Sequence, residues 1–252
     1  MKLRFFILYD DICGKIKEKE GVHMRLDRFL SNLKYGTRKE IQKAIKYKQV
    51  FVNDELMNST AHKIDPLKDI VIFNGEKVYY KETILLMMNK PPGYLSANSD
   101  AKDKTVMEFI NEPYSRFDLS IAGRLDKDTE GLLLLTNSGS LLHSIISPNK
   151  NVYKKYFVRV DKEFLDPSVL ELEFEIMDGR DYPFTPIEPI VEKINDTEFY
   201  LSIKEGKYHQ VKRMVEHFDR SVVYLKRVQI GQIKLDEELR LGEYKEITDY
   251  EI

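Results

Sequence analysis

Four consecutive leucines, Leu132 to Leu135, follow directly on a loop crowded with charge. An apolar run of strand length with no polar alternation is stable only when both faces are covered. The chain must therefore build a sheet with material packed on each side of this strand. The preceding segment, Gly123-Arg124-Leu125-Asp126-Lys127-Asp128-Thr129-Glu130-Gly131, holds three acidic and two basic groups within seven residues. Loops anchored on a rigid strand are where catalytic groups tend to sit. A structural cluster of ion pairs is the other reading of the same loop.

The remaining elements point to an α+β chain with a mixed or antiparallel sheet. Strands are expected at 84–88, 156–160, 172–176, 199–203 and 222–225. A short helix is expected at 105–110, and helical spacing recurs between Lys207 and Phe218. Another helix is read from Ser138 to Ile146, with Leu141, Leu142, Ile145 and Ile146 inside. These elements make one large domain over 84–252. Ahead of it, residues 24–74 form a smaller unit. Leu26, Phe29, Leu30 and Leu33 recur at helical spacing, Gly36-Thr37 reads as a stop followed by an N-cap, and Ile41, Ala44 and Ile45 share one face. Strands with Asn53-Asp54 and Asn74-Gly75 turns complete it. Residues 75–83 read as a linker. Residues 1–23 read as an extension with little structure, with an added strand or helix on the small unit as the alternative.

Charge is uninformative globally, at −2, but not locally. Between 25 and 48 stand Arg25, Arg28, Lys34, Arg38, Lys39, Lys43, Lys46 and Lys48 against only Asp27 and Glu40. A solvated helix face is the plain reading of such a run. Its one-signed density favours a polyanion, and neutralising about six phosphates of a single strand would give log K a salt slope of roughly −4.

Several function classes are disfavoured. A single cysteine, Cys13, excludes a disulfide framework or a cysteine-cluster metal site. His143 and His209 have no partner at metal-ligand spacing. No hydrolase nucleophile motif and no phosphate-cradling glycine loop is present. No apolar run reaches membrane-span length, and Phe5 to Leu8 is too short for a signal core. A cytoplasmic protein is expected.

The string Gly123-Arg124-Leu125-Asp126, a few polar residues, then Gly131-Leu132-Leu133-Leu134-Leu135-Thr136 resembles the signature of pseudouridine synthases, particularly the branch that acts on small-subunit ribosomal RNA (the RsuA type). Further matches lie at Lys154-x-Tyr156-x-Val158, at Glu205 to Met214 and at Val223 to Arg227 with Ile230-Gly231. The unit at 24–74 resembles the RNA-binding domain named after ribosomal protein S4. The resemblance covers about 24–251. It implies a catalytic carboxylate at Asp126, a basic partner at Lys212 and a pocket tyrosine at Tyr156. Arg124 would enter the RNA stack where the target base leaves, and Asp128 is a weaker candidate. RNA contacts are expected from Arg25, Arg28, Arg38, Lys39, Lys43, Lys154, Lys207 and Arg213. The implied reaction isomerises a uridine of 16S rRNA, of the uridine 516 type, with no cofactor and no metal, by a monomer that recognises rRNA or an assembling particle. The alternatives are a large-subunit 23S rRNA enzyme and a non-catalytic rRNA-binding assembly factor. A factor without chemistry should have lost one of Asp126, Tyr156 and Lys212, and all three are present.

The chemistry suits these residues. A carboxylate can attack the anomeric carbon of the ribose, or take a proton from the sugar to give an unsaturated intermediate. Either role needs Asp126 ionised, which a neighbouring cation favours.

Overall fold

The computed structural model describes residues 23–147 and 150–248, so the expected extension at 1–23 lies almost wholly outside the described residues. The chain divides into two compact units between Lys81 and Glu82.

In the first unit the elements are β1 (Met24–Arg25), α1 (Leu26–Asn32), α2 (Arg38–Lys46), β2 (Val50–Val52), β3 (Glu55–Leu56), β4 (Lys63–Ile64), β5 (Val71–Phe73) and β6 (Glu76–Lys77). Leu26, Phe29, Leu30 and Leu33 are buried, as are Ile41, Ala44 and Ile45. α2 begins at a full capping box: the Thr37 hydroxyl accepts from the Glu40 N–H, and the Glu40 carboxylate accepts from the Thr37 N–H. The strands form an antiparallel sheet in the order β3-β2-β5-β6, with β1 and β4 paired apart from it. Both tight hairpins turn on consecutive positive φ angles, at Asn53 (49°) and Asp54 (66°), and at Asn74 (53°) and Gly75 (85°), the conformation that Asn, Asp and Gly tolerate best. The segment read as a linker instead starts with β6, and Val78 beyond it is buried. The Asn74-Gly75 turn folds it back onto β5.

The second unit contains β7 (Leu85–Lys90), β8 (Ser120–Ala122), β9 (Glu130–Thr136), α3 (Gly139–Ile146), β10 (Lys154–Val160), β11 (Ile176–Met177), β12 (Pro183–Phe184), β13 (Ile190–Lys193), β14 (Glu198–Ile203), α4 (Gln210–Glu216), β15 (Val222–Ile230), β16 (Ile233–Lys234) and β17 (Tyr244–Glu246). Nine strands make one sheet along the path β13-β14-β10-β15-β9-β7-β17, with β16 on β15 and β8 on β9. Every pairing is antiparallel except β9 with β15. The architecture is thus α+β with a mixed sheet. The leucine run lies in β9, in the sheet interior, and all four leucines are fully buried. Leu132 and Leu134 join Leu85, Met87, Ala122, Ile145 and Ile230 in one cluster, and Leu133 and Leu135 alternate to the opposite face.

Three further expectations need correction. Residues 172–176 do not form a strand: a 3-10 turn spans Pro167–Glu171, and only Ile176–Met177 pairs, with β12. Apolar side chains at Leu172, Phe174 and Ile176 mimic strand alternation, but Leu172 is exposed. α3 buries Ile145 and leaves Ile146 43% exposed, because the two adjacent residues point 100° apart on a helix. α4 begins at Gln210 rather than Lys207, because His209 adopts a left-handed conformation with φ 53°.

Leu134→Ala should cost about 2–5 kcal/mol in denaturant unfolding of the second unit, since a cavity opens in a fully buried layer. Thr37→Ala should cost the first unit about 1 kcal/mol, read as roughly fivefold faster hydrogen exchange along α2, with Thr37→Ser close to the parent chain.

Candidate active site

The charged loop leaves β8 at Gly123 and enters β9 at Glu130, and three buried side chains hold it from beneath. Arg227, on β15, is only 2% exposed. Its guanidinium donates from Nε to the Leu132 carbonyl (2.8 Å) and from Nη2 to the Gly123 carbonyl (2.7 Å), so both ends of the loop are tied to one cation. Gly131 makes this possible. At φ 102° it pairs with Arg227, and a Cβ there would lie 2.2 Å from the Arg227 carbonyl oxygen. Lys90, fully buried at the end of β7, donates its three protons to the carbonyls of Pro91 (2.9 Å), Lys127 (3.2 Å) and Thr129 (2.8 Å). Burial pushes its pKa down to about 8, although the charges of Asp128, Asp126 and Glu130 oppose this. The Ser96 hydroxyl clamps Leu125, donating to its carbonyl (2.9 Å) and accepting from its N–H (3.1 Å).

Held this way, the loop presents Asp126 to a cleft lined also by Arg124, Tyr156, Lys207, His209 and Lys212. The Asp126 side chain is 25% exposed. Lys212 Nζ lies 3.3 Å from Asp126 Oδ2, and it donates to both oxygens of Asp128 at 2.8 and 2.9 Å. The ammonium thus bridges two carboxylates. Burial alone would lower the Lys212 pKa, but the hydrogen bond to Asp128 and the charges of both carboxylates outweigh it and hold the pKa above its ordinary value. Asp128 shows the converse. Burial raises its pKa, and the Lys212 hydrogen bond and charge bring it below the usual carboxylate range.

Tyr156 enters from β10, directly beside Arg227 in the strand register. It is buried, with the guanidinium carbon of Arg227 6.0 Å from its ring centre. One edge of the cleft comes from the turn before α4. There the Gln210 side chain accepts from the Lys207 N–H (3.1 Å) and donates to Glu205 (3.1 Å). The left-handed bend at His209 brings its Nε2 to 3.6 Å from Asp126 Oδ1, while its ring stacks on Tyr208 at 3.8 Å.

Two residues expected at an RNA surface are tied to backbone carbonyls of the protein instead. Lys154 is buried, and its ammonium donates to the Lys204 carbonyl at 2.6 Å. It shares the inward face of β10 with Tyr156, because residues two apart on a strand point the same way. Arg213 donates to the carbonyls of Met177 (2.9 Å) and Asp178 (3.0 Å), tying α4 to β11. Arg124 is exposed at the cleft mouth, and Lys207 is partly exposed on its rim. In the first unit Arg28, Arg38, Lys39 and Lys43 are exposed and make no ion pair among the described residues. Arg25 is committed to Asp27 through two hydrogen bonds of 3.0 and 2.7 Å.

Sequence reasoning gave no role to Lys90, Ser96 or Arg227, and set His209 aside. Lys90 stands in Lys-Pro-Pro-Gly and Arg227 lies two residues beyond the strand read at 222–225, and neither position marks a buried cation. Among the described residues no group of three or more His, Cys, Asp or Glu side chains could hold a metal ion, and no helix is long and apolar enough to cross a membrane.

Comparison with known proteins shows the family. The family model for RNA pseudouridylate synthase matches residues 84–217, and that for the S4 domain matches residues 24–71. The chain is 42% identical over 232 residues to the RNA pseudouridine synthase YtzG of Bacillus subtilis, covering 91% of this chain and 97% of that protein. It is 34% identical over 229 residues to ribosomal small subunit pseudouridine synthase A of Escherichia coli K12, covering 91% and 98%. The Vibrio cholerae protein of that name is 36% identical over 232 residues, again covering 91% and 98%. A solved pseudouridylate synthase superposes with a TM-score of 0.61 at 34% identity, over 89% of this chain and 96% of that one. The chain therefore belongs to the RNA pseudouridine synthase family, with an S4 domain ahead of the synthase domain.

Proposed function

We propose that this chain isomerises a uridine of small-subunit 16S ribosomal RNA, of the uridine 516 type, to pseudouridine, with Asp126 as the reacting carboxylate. The observation that carries this reading is the partly open Asp126 carboxylate 3.3 Å from a lysine ammonium in a cleft shared with Tyr156. The reaction breaks the bond from the anomeric carbon to a ring nitrogen, turns the uracil and rebuilds the bond to carbon 5; the carbon-5 proton then leaves to Tyr156 or a water, and the freed ring nitrogen takes up a proton. It is redox-neutral, so no cofactor is needed. Asp126 serves as nucleophile at the anomeric carbon or as base toward the sugar. In both roles Lys212 stands beside it as counter-charge without blocking its second oxygen. Tyr156 supplies an aromatic wall for the extruded uracil. Stacking of this kind contributes about 1–3 kcal/mol per base, against an unstacking cost of a few kcal/mol. Arg124, at the cleft mouth, fills the gap the base leaves.

The substrate class is supported by the two relatives named as ribosomal small subunit pseudouridine synthase A, matched over 91% of this chain. The exposed cations Arg28, Arg38, Lys39 and Lys43 of the first unit supply phosphate contacts. The protein acts as a monomer in the cytoplasm, on free rRNA or an assembling particle.

Asp126→Asn should abolish pseudouridine formation, mapped chemically in rRNA from cells carrying only the variant, while RNA affinity stays within about twofold. Persistence of the modification would refute the role of Asp126. Lys212→Met should lower the single-turnover rate by at least about 100-fold, on the scale of losing one preorganised electrostatic partner. Asp128→Asn, which leaves Lys212 beside Asp126, should cost under tenfold. Lys39→Ala with Lys43→Ala should flatten the slope of log K against log salt by about 1.4, at about 0.7 for each phosphate no longer neutralised.

A further inference from the structure

A second pocket, of about 540 Å³, opens beside the catalytic cleft and shares Lys207 with it. Its other lining residues are Asp178, Gly179, Arg180, Tyr182 and Tyr208. All but Tyr208 and Lys207 belong to the turn between β11 and β12. That turn is organised from within. The Asp178 carboxylate accepts from the N–H groups of Arg180 (2.8 Å) and Tyr182 (3.1 Å), and the Asp178 N–H donates to the Tyr182 carbonyl (2.8 Å). These backbone hydrogen bonds, with Lys207 3.7 Å away, hold the Asp178 pKa below the ordinary carboxylate range. Arg213 ties the turn to α4, one residue from Lys212.

Two aromatic side chains face this space and stay largely exposed: Tyr182 is 66% exposed and Tyr208 59%. Tyr208 is held in place by its stack on His209 and by Gly179, where a Cβ would come within 2.7 Å of the tyrosine side chain. Arg180 is exposed and makes no ion pair among the described residues. Exposed rings with a nearby guanidinium are the means by which proteins bind single-stranded nucleic acid: the base stacks and the phosphate meets the cation.

We propose that this pocket binds a nucleotide adjoining the target uridine, its base against Tyr182 and Tyr208 and its phosphate on Arg180. The assignment rests on the catalytic reading of the neighbouring cleft. Continuity through Lys207 argues for the same RNA strand rather than a separate partner. The turn also carries Asp181, so its net charge is small and stacking supplies most of the binding.

The test uses the full chain and a fluorescein-labelled single-stranded 16S rRNA fragment, with binding read by anisotropy and chemistry by single-turnover pseudouridine formation. Tyr182→Ala should weaken binding roughly tenfold, within the range for removal of one stacking ring, and raise the half-saturating RNA concentration equally. Its rate at saturation should stay within twofold, and its salt slope should be unchanged. Tyr182→Phe should restore binding, because the ring is kept. Arg180→Ala should weaken binding and flatten the salt slope by about 0.7. Parent-like RNA affinity in both alanine variants overturns the pocket, whether or not the chain modifies that RNA. Tight binding without pseudouridine formation by the parent chain, on this fragment and on the assembling small-subunit particle alike, would instead refute the catalytic reading.

Discussion

The site depends on one buried cation, the Arg227 guanidinium, which joins the two ends of the Asp126 loop through the carbonyls of Gly123 and Leu132. A buried charge is costly unless its hydrogen bonds are met, and here the loop's own backbone meets them. The dependence is mutual. The loop carbonyls meet the cation's hydrogen bonds, and the cation meets theirs. Gly131 is the geometric condition, because only a residue without a side chain lets β9 approach β15 so closely at this point. Lys90 repeats the device beneath Lys127 and Thr129. Side chains on a loop thereby gain the rigidity of a sheet, which the proposed catalytic role of Asp126 requires.

On this frame Lys212 divides itself between two carboxylates. Its shorter contacts go to Asp128, which is largely exposed, and its longer one to the more enclosed Asp126. Asp128 thus fixes the ammonium, and Lys212 leaves the Oδ1 oxygen of Asp126 uncontacted. His209 completes the ring of groups around Asp126, and its left-handed backbone also sets where α4 begins. The same bend carries Tyr208 outward, so one local conformation serves both the cleft and the pocket beside it.

Much of the fold was legible locally. Thr37 as an N-cap, the Asn53-Asp54 turn and the four leucines of β9 each carry a short-range physical signal, and each forms the element its spacing predicts. Failures arose where neighbours far along the chain decide. Leu172, Phe174 and Ile176 alternate like a strand, yet no adjacent strand accepts them beyond Ile176. Glu76 and Lys77 look like linker, yet they pair with β5 because a tight turn folds them back. Lys154 and Arg213 look like surface cations, yet carbonyls of Lys204, Met177 and Asp178 capture them.

Residue order by itself determined that this chain has a strand covered on both faces, a charged loop feeding it and a basic helical unit ahead of it. Periodicity and turn chemistry act over a few residues, and so can be read in one dimension. Only the tertiary structure decided that Asp126, Tyr156 and Lys212 share a cleft, that Arg227 and Lys90 hold it from below and that Tyr182 stands beside it. Those relations join residues tens of positions apart, and they come from strand register, close backbone approach and the need of every buried charge for a partner, none of which a linear pattern records.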